Sequence, residues 1–196
     1  ITRLAPDNTG AISVESVKNA LRDDTILVSL MLVNNETGAV TDISGIADML
    51  KKSGSQALLH TDAVQGFMKV PFSAKTLGAD MISVSGHKIH APKGIGALYV
   101  RDGLRLKPFI AGGAQENGRR AGTEAMPQIA AFAAACAEAS KNMDAGISRM
   151  AAQKAEIIDR LSAGIPELKY VRTAAPHILS ISLPGWRSEV LMNYLE

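Results

Sequence analysis

The sequence holds one cysteine, Cys136, among its 196 residues. An internal disulfide is therefore impossible in this chain, which fits a reducing compartment, and we expect a cytoplasmic protein. Aromatic residues make up only 4% of the chain, too few for a surface that stacks nucleic-acid bases. The lysines and arginines are scattered and the net charge is +2, so no basic block is present. These shortages argue against nucleic acid as a partner.

Several other signals are missing as well. The apolar run around residues 130–137 is too short and too rich in alanine to cross a bilayer, and no signal peptide is visible. The four histidines lack a metal-binding spacing, and the glycine motifs of nucleotide-binding proteins do not occur. We expect no membrane contact, metal or nucleotide. The chain starts with Ile1 and stops within a helical pattern, so we expect both ends to be cuts in a longer protein.

Apolar periodicity predicts strands that alternate with helices over the first hundred residues. The run at 25–33 is apolar throughout, which is typical of a strand buried on both faces. Alternation of this kind predicts an α/β fold with a largely parallel sheet. The expected strands are 25–33, 57–61, 80–84, 95–100 and 177–183, and the expected helices are 13–21, 43–52, 73–77, 126–163 with a break near 143–146, and 187–195.

Polar clusters follow three of the predicted strands, at residues 34–38, 62–65 and 85–88. Open α/β sheets bind their ligands at the edge formed by the carboxyl ends of the strands. We therefore expect these three clusters to meet at one ligand site. A glycine- and arginine-rich loop at 107–122 suits an anion, although a flexible surface loop is an equally good interpretation.

Lys88 lies in the third cluster, between the apolar runs at 80–84 and 95–100. The ordinary interpretation is a surface lysine, but a lysine amine can also form a Schiff base with an aldehyde cofactor, usually pyridoxal phosphate. That cofactor needs an acid for its ring nitrogen, polar groups for its ring oxygen and donors for its phosphate. The candidates are Asp62 for the nitrogen, Asn35 and Gln65 for the ring substituents, and Ser85, His87 and Thr123 for the phosphate.

These candidates have structural alternatives. Asp62 could cap the turn after its strand, and His87 could be an ordinary turn histidine. Cys136 lies among alanines in a helical pattern, so we interpret it as a small packing residue and not as a nucleophile.

Four segments together resemble the cysteine desulfurases, and among them the NifS/IscS branch: residues 33–38, 60–65, 85–100 and 120–123. Cysteine desulfurases are pyridoxal-phosphate enzymes of the class V aminotransferase type with fold type I architecture. The resemblance implies a mostly parallel central sheet flanked by helices. It also implies that residues 1–140 belong to the large cofactor-binding domain and that residues 141–196 begin a smaller α+β domain.

The resemblance also implies a role for each candidate. Lys88 would bind the cofactor through its amine and then move protons on the substrate carbon. Asp62 would pair with the pyridine nitrogen, and Asn35 and Gln65 would contact the ring and its oxygen. Ser85 and His87 would bind the phosphate, while Thr123 would reach the phosphate of the neighbouring subunit, because the family is dimeric.

The implied reaction takes sulfur from L-cysteine, leaving alanine and an enzyme persulfide that passes to a sulfur-acceptor or scaffold protein for iron–sulfur cluster biosynthesis. Family members are longer at both ends, and their catalytic cysteine loop and substrate-binding arginine have no counterpart here. Cys136 does not match that loop, so we expect this chain alone to be inactive. Ala91 stands where a glycine is more typical.

Two further hypotheses remain open at this point. One is another class V enzyme, such as a selenocysteine lyase, an aminotransferase or a kynureninase-like hydrolase. The other is a non-catalytic binding module that has kept the fold and lost the chemistry.

Overall fold

The computed structural model describes residues 1–195. Its helices are α1 (Val14–Ala20), α2 (Ile43–Lys52), α3 (Ala74–Leu77), α4 (Met126–Lys141), α5 (Met143–Gly164) and α6 (Ser188–Leu195). Its strands are β1 (Leu27–Met31), β2 (Leu58–Asp62), β3 (Met81–Ser85), β4 (Gly96–Val100), β5 (Lys169–Tyr170) and β6 (Ile181–Ser182). Short 3₁₀ turns cover Gly86–Ile89 and Gln115–Gly118.

The first three helices begin at side chains that can accept a hydrogen bond from the unpaired amides of the first turn. Ser13 caps α1 by accepting from the Ser16 amide at 3.1 Å, and Asp42 caps α2 by accepting from the Gly45 amide at 2.8 Å. Helix α3 starts with a reciprocal capping box between Ser73 and Thr76. These caps confirm the predicted starting points of all three helices.

The main sheet has the strand order β1-β2-β3-β4. The pairs β1–β2 and β2–β3 are parallel, whereas β4 runs antiparallel to β3. The register places Met31 beside Asp62 and Asp62 beside Ser83, so the carboxyl ends of the parallel strands share one edge. The prediction of an α/β fold with a largely parallel sheet is confirmed.

The hydrophobic core lies on one face of this sheet. Val28, Leu59 and Ile82 point to that face and are at most 9% exposed. Helix α2 covers them with an apolar stripe that includes Ile46, which is completely buried. Burying a side chain of that size stabilises a fold by about 1.5–3 kcal/mol.

The opposite face of the sheet is more open within residues 1–195, and here one expectation is not met. Within residues 1–195, strand β1 is buried on one face only, because Leu27 is 47% exposed on the side that α1–α3 do not cover. Strand β4 lies at the edge of this sheet, and its Leu98 is 50% exposed. A continuous apolar run predicts a strand, but the helices that pack against the sheet decide which of its faces is covered.

Residues of the C-terminal part pack against the core formed by the first hundred residues. Asn142 separates α4 from α5, close to the predicted break. The strand predicted at 177–183 is reduced to β6, because only Tyr170 and Lys169 of β5 pair with it. Residues before β6 instead pack inward, so that Ala175 is fully buried and Ile178 contacts the main core. None of the helices within residues 1–195 is both long enough and apolar enough to span a bilayer.

Candidate active site

The carboxyl edge of the sheet carries the three polar segments predicted to form a site. Asp62 ends β2 and Ser85 ends β3, and the Ala63 amide donates to the Ser83 carbonyl at 2.9 Å, which joins the two strand ends. The turn at residues 34–38 follows β1 at the same edge. The parallel register therefore brings together segments that are far apart in the sequence.

The 34–38 turn is held from inside by one side chain. The Asn34 carboxamide oxygen accepts hydrogen bonds from the Glu36 amide at 3.0 Å, the Thr37 amide at 2.9 Å and the Thr37 hydroxyl at 3.1 Å. Gly38 closes the turn with a φ of +76°, which favours glycine. Asn35 is left exposed, where its carboxamide donates to Glu36 Oε1 at 2.7 Å.

Asp62 is half-buried at the end of β2. Its Oδ1 atom accepts from the Val64 amide at 2.9 Å, so the carboxylate does cap the turn that follows the strand. A carboxylate has about four acceptor positions, and this cap uses only one of them. The capping role and the cofactor-binding role are therefore compatible.

A hydrogen-bonded row of side chains crosses the open face of the sheet beside Asp62. His60 Nδ1 lies 2.8 Å from Ser29 Oγ on β1, and His60 Nε2 lies 2.9 Å from Ser83 Oγ on β3. This row links the three parallel strands through their side chains as well as their backbones.

Lys88 is half-buried in the 3₁₀ turn Gly86–Ile89, directly after β3. The Gly86 amide donates to the Ile95 carbonyl at 2.9 Å, and the Ala91 amide donates to the Gly86 carbonyl at 3.1 Å. A side chain at Gly86 would meet Phe132 of α4 at 3.1 Å, so helix and turn are in close contact. These contacts fix the backbone that carries Lys88.

The two predicted phosphate ligands next to Lys88 contact each other. Ser85 Oγ and His87 Nδ1 are 2.7 Å apart, and both residues are accessible to solvent. A hydroxyl and an imidazole in this arrangement can both turn donors toward an anion.

Two half-buried side chains, Lys69 and His177, lie close to the predicted site residues Lys88 and Gln65. Burial lowers the pKa of Lys69, and the nearby Lys88 ammonium lowers it further. Burial of the His177 ring lowers its pKa to about 4, Lys69 and Lys154 add to this effect, and the backbone of Gln65 partly opposes it. Neither ring nitrogen of His177 has a hydrogen-bond partner in the part of the chain that is described. His177 is therefore neutral near pH 7, and its ring lies close to the Gln65 backbone.

Thr123 is less closely connected with the other candidates. It is exposed beyond the 107–122 loop, whose end is held by the Ala121 amide donating to the Ile110 carbonyl at 3.1 Å. Within residues 1–195, no hydrogen bond joins Thr123 to the six other predicted site residues. Cys136 lies partly buried in α4, and burial raises the pKa of its thiol, which suits a packing residue.

Sequence reasoning assigned no specific role to three residues near the site: Asn34, Lys69 and His177. The first had a usable signal, because an asparagine at a strand end often bonds to amides two and three residues later. Lys69 and His177 had none, since their neighbours come from distant parts of the chain.

A parallel sheet that gathers an amine, a carboxylate and a hydroxyl–imidazole pair at its carboxyl edge fits the class of α/β enzymes that hold a phosphorylated aldehyde cofactor. The sequence model for aminotransferase class V matches residues 1–196, and the chain belongs to this family. Pyridoxal phosphate is the cofactor of this family.

Within the family, the chain is similar to cysteine desulfurases. It is 36% identical over 201 residues to the cysteine desulfurase IscS of Clostridium botulinum, covering 100% of this chain and 50% of the relative. A solved NifS-like protein aligns with a TM-score of 0.88 and 34% identity, over 99% of this chain and 53% of the other. A structure of SspA in complex with cysteine aligns with a TM-score of 0.65 and 42% identity, over 69% and 39%. The chain spans about half the length of the curated relatives that it matches from end to end.

Proposed function

We propose that the protein containing this chain is a pyridoxal-phosphate-dependent cysteine desulfurase. The observation that carries the proposal is the meeting of Lys88, Asp62 and the Ser85–His87 pair at one edge of the sheet. The curated relatives support the choice of reaction, since they are named cysteine desulfurases. L-cysteine would be the substrate, and alanine and an enzyme-bound persulfide would be the products.

The residues at the edge fit the chemical groups of the cofactor. Asp62 would hold the ring nitrogen with the carboxylate positions that its turn cap leaves free. Ser85 and His87 would bind the phosphate with the pair of donors that now contact each other. Asn35 and Gln65 would address the ring and its oxygen, and Thr123 would bind the phosphate in a second subunit. When bound, the cofactor would supply an electron sink for bond breaking at the substrate carbon.

Lys88 would have two tasks in this site. Its amine would bind the aldehyde carbon of the cofactor, and after release by the substrate it would move a proton at the substrate carbon. Lys69 lies close to Lys88, and burial together with the Lys88 cation lowers the pKa of the Lys69 amine.

The sulfur-accepting thiol would be a cysteine other than Cys136. A thiolate is the nucleophile in this chemistry, and burial raises the pKa of the Cys136 thiol instead of lowering it. We accordingly propose that residues 1–196 by themselves do not turn over cysteine.

The proposal also covers the domain division, the cellular location, the oligomeric state and the partner. Residues 1–140 would form part of a large cofactor domain and residues 141–196 would begin a small domain, which the helix break at Asn142 supports. The protein would act as a cytoplasmic homodimer and would deliver sulfur to an acceptor or scaffold protein for iron–sulfur cluster biosynthesis.

Cofactor binding tests the proposal directly. Adding pyridoxal phosphate to the gene's full-length product should give an absorbance band in the visible or near-ultraviolet range, and Lys88→Ala should abolish it. Lys93→Ala is the matched control, since Lys93 is an exposed lysine five residues away. An equal band in Lys88→Ala would contradict the assignment of this lysine.

The reaction class needs a separate assay. The same full-length product should release alanine and transferable sulfur from L-cysteine. Release of selenium from selenocysteine without release of sulfur from cysteine, or amino transfer to a keto acid, would instead indicate another class V enzyme. Cofactor binding with no turnover of any amino acid would indicate a non-catalytic protein.

A further inference from the structure

A chain of hydrogen bonds connects helix α5 with the 34–38 turn. Lys154 Nζ donates to the Thr173 carbonyl at 3.0 Å, to the Thr173 hydroxyl at 3.3 Å and to the Ala175 carbonyl at 2.8 Å. The Thr173 hydroxyl in turn donates to the Thr37 carbonyl at 3.1 Å, across 136 positions of sequence. A single ammonium therefore binds the irregular segment of residues 173–175 that reaches the turn.

The contact at the turn is a tight one. A side chain at Gly38 would come within 2.9 Å of the Thr173 hydroxyl oxygen and 3.0 Å of Ile178 Cβ. Ala175, in the same segment, is completely buried, with an exposed fraction of 0%. The segment of residues 173–178 thus covers the outside of the turn, while Asn34 holds it from within.

The three hydrogen bonds of Lys154 lie in a partly buried place. Burial lowers the pKa of the Lys154 ammonium. Hydrogen bonds from a charged donor are stronger than neutral ones, and a carbonyl left without its donor in a partly buried place is costly. The arrangement is therefore a fixed support and not a loose surface contact.

We propose that Lys154 and Thr173 are positioning residues for Asn35, acting by holding the 34–38 turn from the C-terminal half of the chain. This rests on the proposed function, in which Asn35 addresses the cofactor ring. Asn35 is itself exposed and its only bond among residues 1–195 is to the adjacent Glu36, so its location depends on the backbone of the turn. Helix α5 would in this way influence cofactor binding without touching the cofactor.

The first test needs no cofactor. Amide hydrogen exchange is measured by mass spectrometry in the full-length product for Thr173→Val, which keeps the shape but removes the hydroxyl, and for Lys154→Met, which removes the charge. Both variants should exchange faster in residues 34–39, and α1 should be unchanged. Thr173→Ser, which keeps the hydroxyl, and Arg149→Met, on an exposed position of the same helix, should behave as the unsubstituted protein. Unchanged exchange in both test variants would overturn the proposal.

The second test separates positioning from general destabilisation. Thr173→Val and Lys154→Met should each weaken pyridoxal-phosphate binding by about 2- to 10-fold, the range expected when the one hydrogen bond from Thr173 to the turn is lost or loosened. Asn35→Ala should weaken it as well, and the double variant Asn35→Ala/Thr173→Val should be no weaker than Asn35→Ala alone. Full additivity would show that the network does not act through Asn35 and would overturn the proposal.

The two tests also distinguish this proposal from the proposed function. If the unsubstituted protein does not bind pyridoxal phosphate through Lys88, the proposed function fails and Asn35 loses its role as a ring contact. Faster exchange in the turn would then show only that the network supports the turn, and the claim about cofactor positioning would fall with the function.

Discussion

His60 and Ser83 lie on neighbouring strands, and their side chains meet with 2.9 Å between His60 Nε2 and Ser83 Oγ. The second ring nitrogen of His60 reaches Ser29 on the other side at 2.8 Å. The His60 imidazole thus connects β1, β2 and β3 through side-chain hydrogen bonds. A neutral imidazole has one donor and one acceptor nitrogen, so with His60 in that form one serine donates and the other accepts.

The two serines should contribute unequally to stability. Ser83→Ala should lower the free energy of unfolding by about 1 kcal/mol, since its bond to His60 is partly buried and the ring nitrogen would lose its partner. Ser29→Ala should cost clearly less, because Ser29 is exposed and water can replace its hydroxyl. Urea unfolding of both variants measures the difference, and equal losses would show that the row is solvated throughout.

Asp62 offers a way to separate its two roles. Asp62→Asn keeps an oxygen that can accept from the Val64 amide, so the free energy of unfolding should change by less than about 0.5 kcal/mol. The same variant loses the negative charge and should weaken pyridoxal-phosphate binding by at least about tenfold.

Asp62→Ala is the companion variant, since it removes the cap and the charge together. It should lose about 1 kcal/mol of stability as well as cofactor affinity. The measurements are urea unfolding and titration of the absorbance band. Unaltered cofactor binding in Asp62→Asn would leave turn capping as the sole role of this residue.

Two glycines should respond in opposite directions to alanine. At Gly86 an added Cβ would lie 2.9 Å from Ile95 Cγ2 and 3.0 Å from Ala91 Cβ, so Gly86→Ala should cost about 1–3 kcal/mol through overpacking. It should also weaken cofactor binding, because the turn with Lys88 begins there. At Gly146 in α5 nothing lies within 4 Å of the added Cβ, and Gly146→Ala should raise stability by up to about 1 kcal/mol. Thermal unfolding compares the two, and a neutral Gly86→Ala would show that Ile95 and Ala91 can move away from the added Cβ.

His177 should make the fold sensitive to acid. Its pKa is lowered from 6.5 to about 4 in the folded protein, by burial first and by the Lys69 and Lys154 cations next. The unfolded chain therefore binds more protons at this position between those two pH values, and stability must fall as the pH is lowered through that range.

His177→Asn should flatten this part of the stability–pH curve. The matched control is His90→Asn, since His90 is exposed and asparagine tolerates its φ of +68°. Urea unfolding at several pH values between 7 and 4 gives the slopes. An unchanged slope in His177→Asn would mean that other groups cause the acid sensitivity.

Much of the fold could be predicted from the sequence because local signals agree with one another. Helix α2 occupies the predicted range of residues 43–52, where the apolar stripe, the Asp42 cap and the stop before Gly54 all coincide. The candidate site was predictable for a similar reason. Polar residues after consecutive apolar runs must lie at strand ends, and parallel strands place those ends at one edge. The individual roles assigned to the seven candidates stay predictions: Asn35, Asp62, Gln65, Ser85, His87, Lys88 and Thr123.

The amino-acid sequence by itself determined the order of the elements, the parallel sheet and the edge at which Lys88 and Asp62 would be found. Tertiary structure alone decided which face of the sheet the helices of residues 1–195 cover, that His177 is neutral and that Lys154 supports the 34–38 turn through Thr173. The physical reason is range: periodicity and capping act over a few residues. Burial arises only once distant segments have packed together. The same holds for a hydrogen bond that spans 136 positions of sequence.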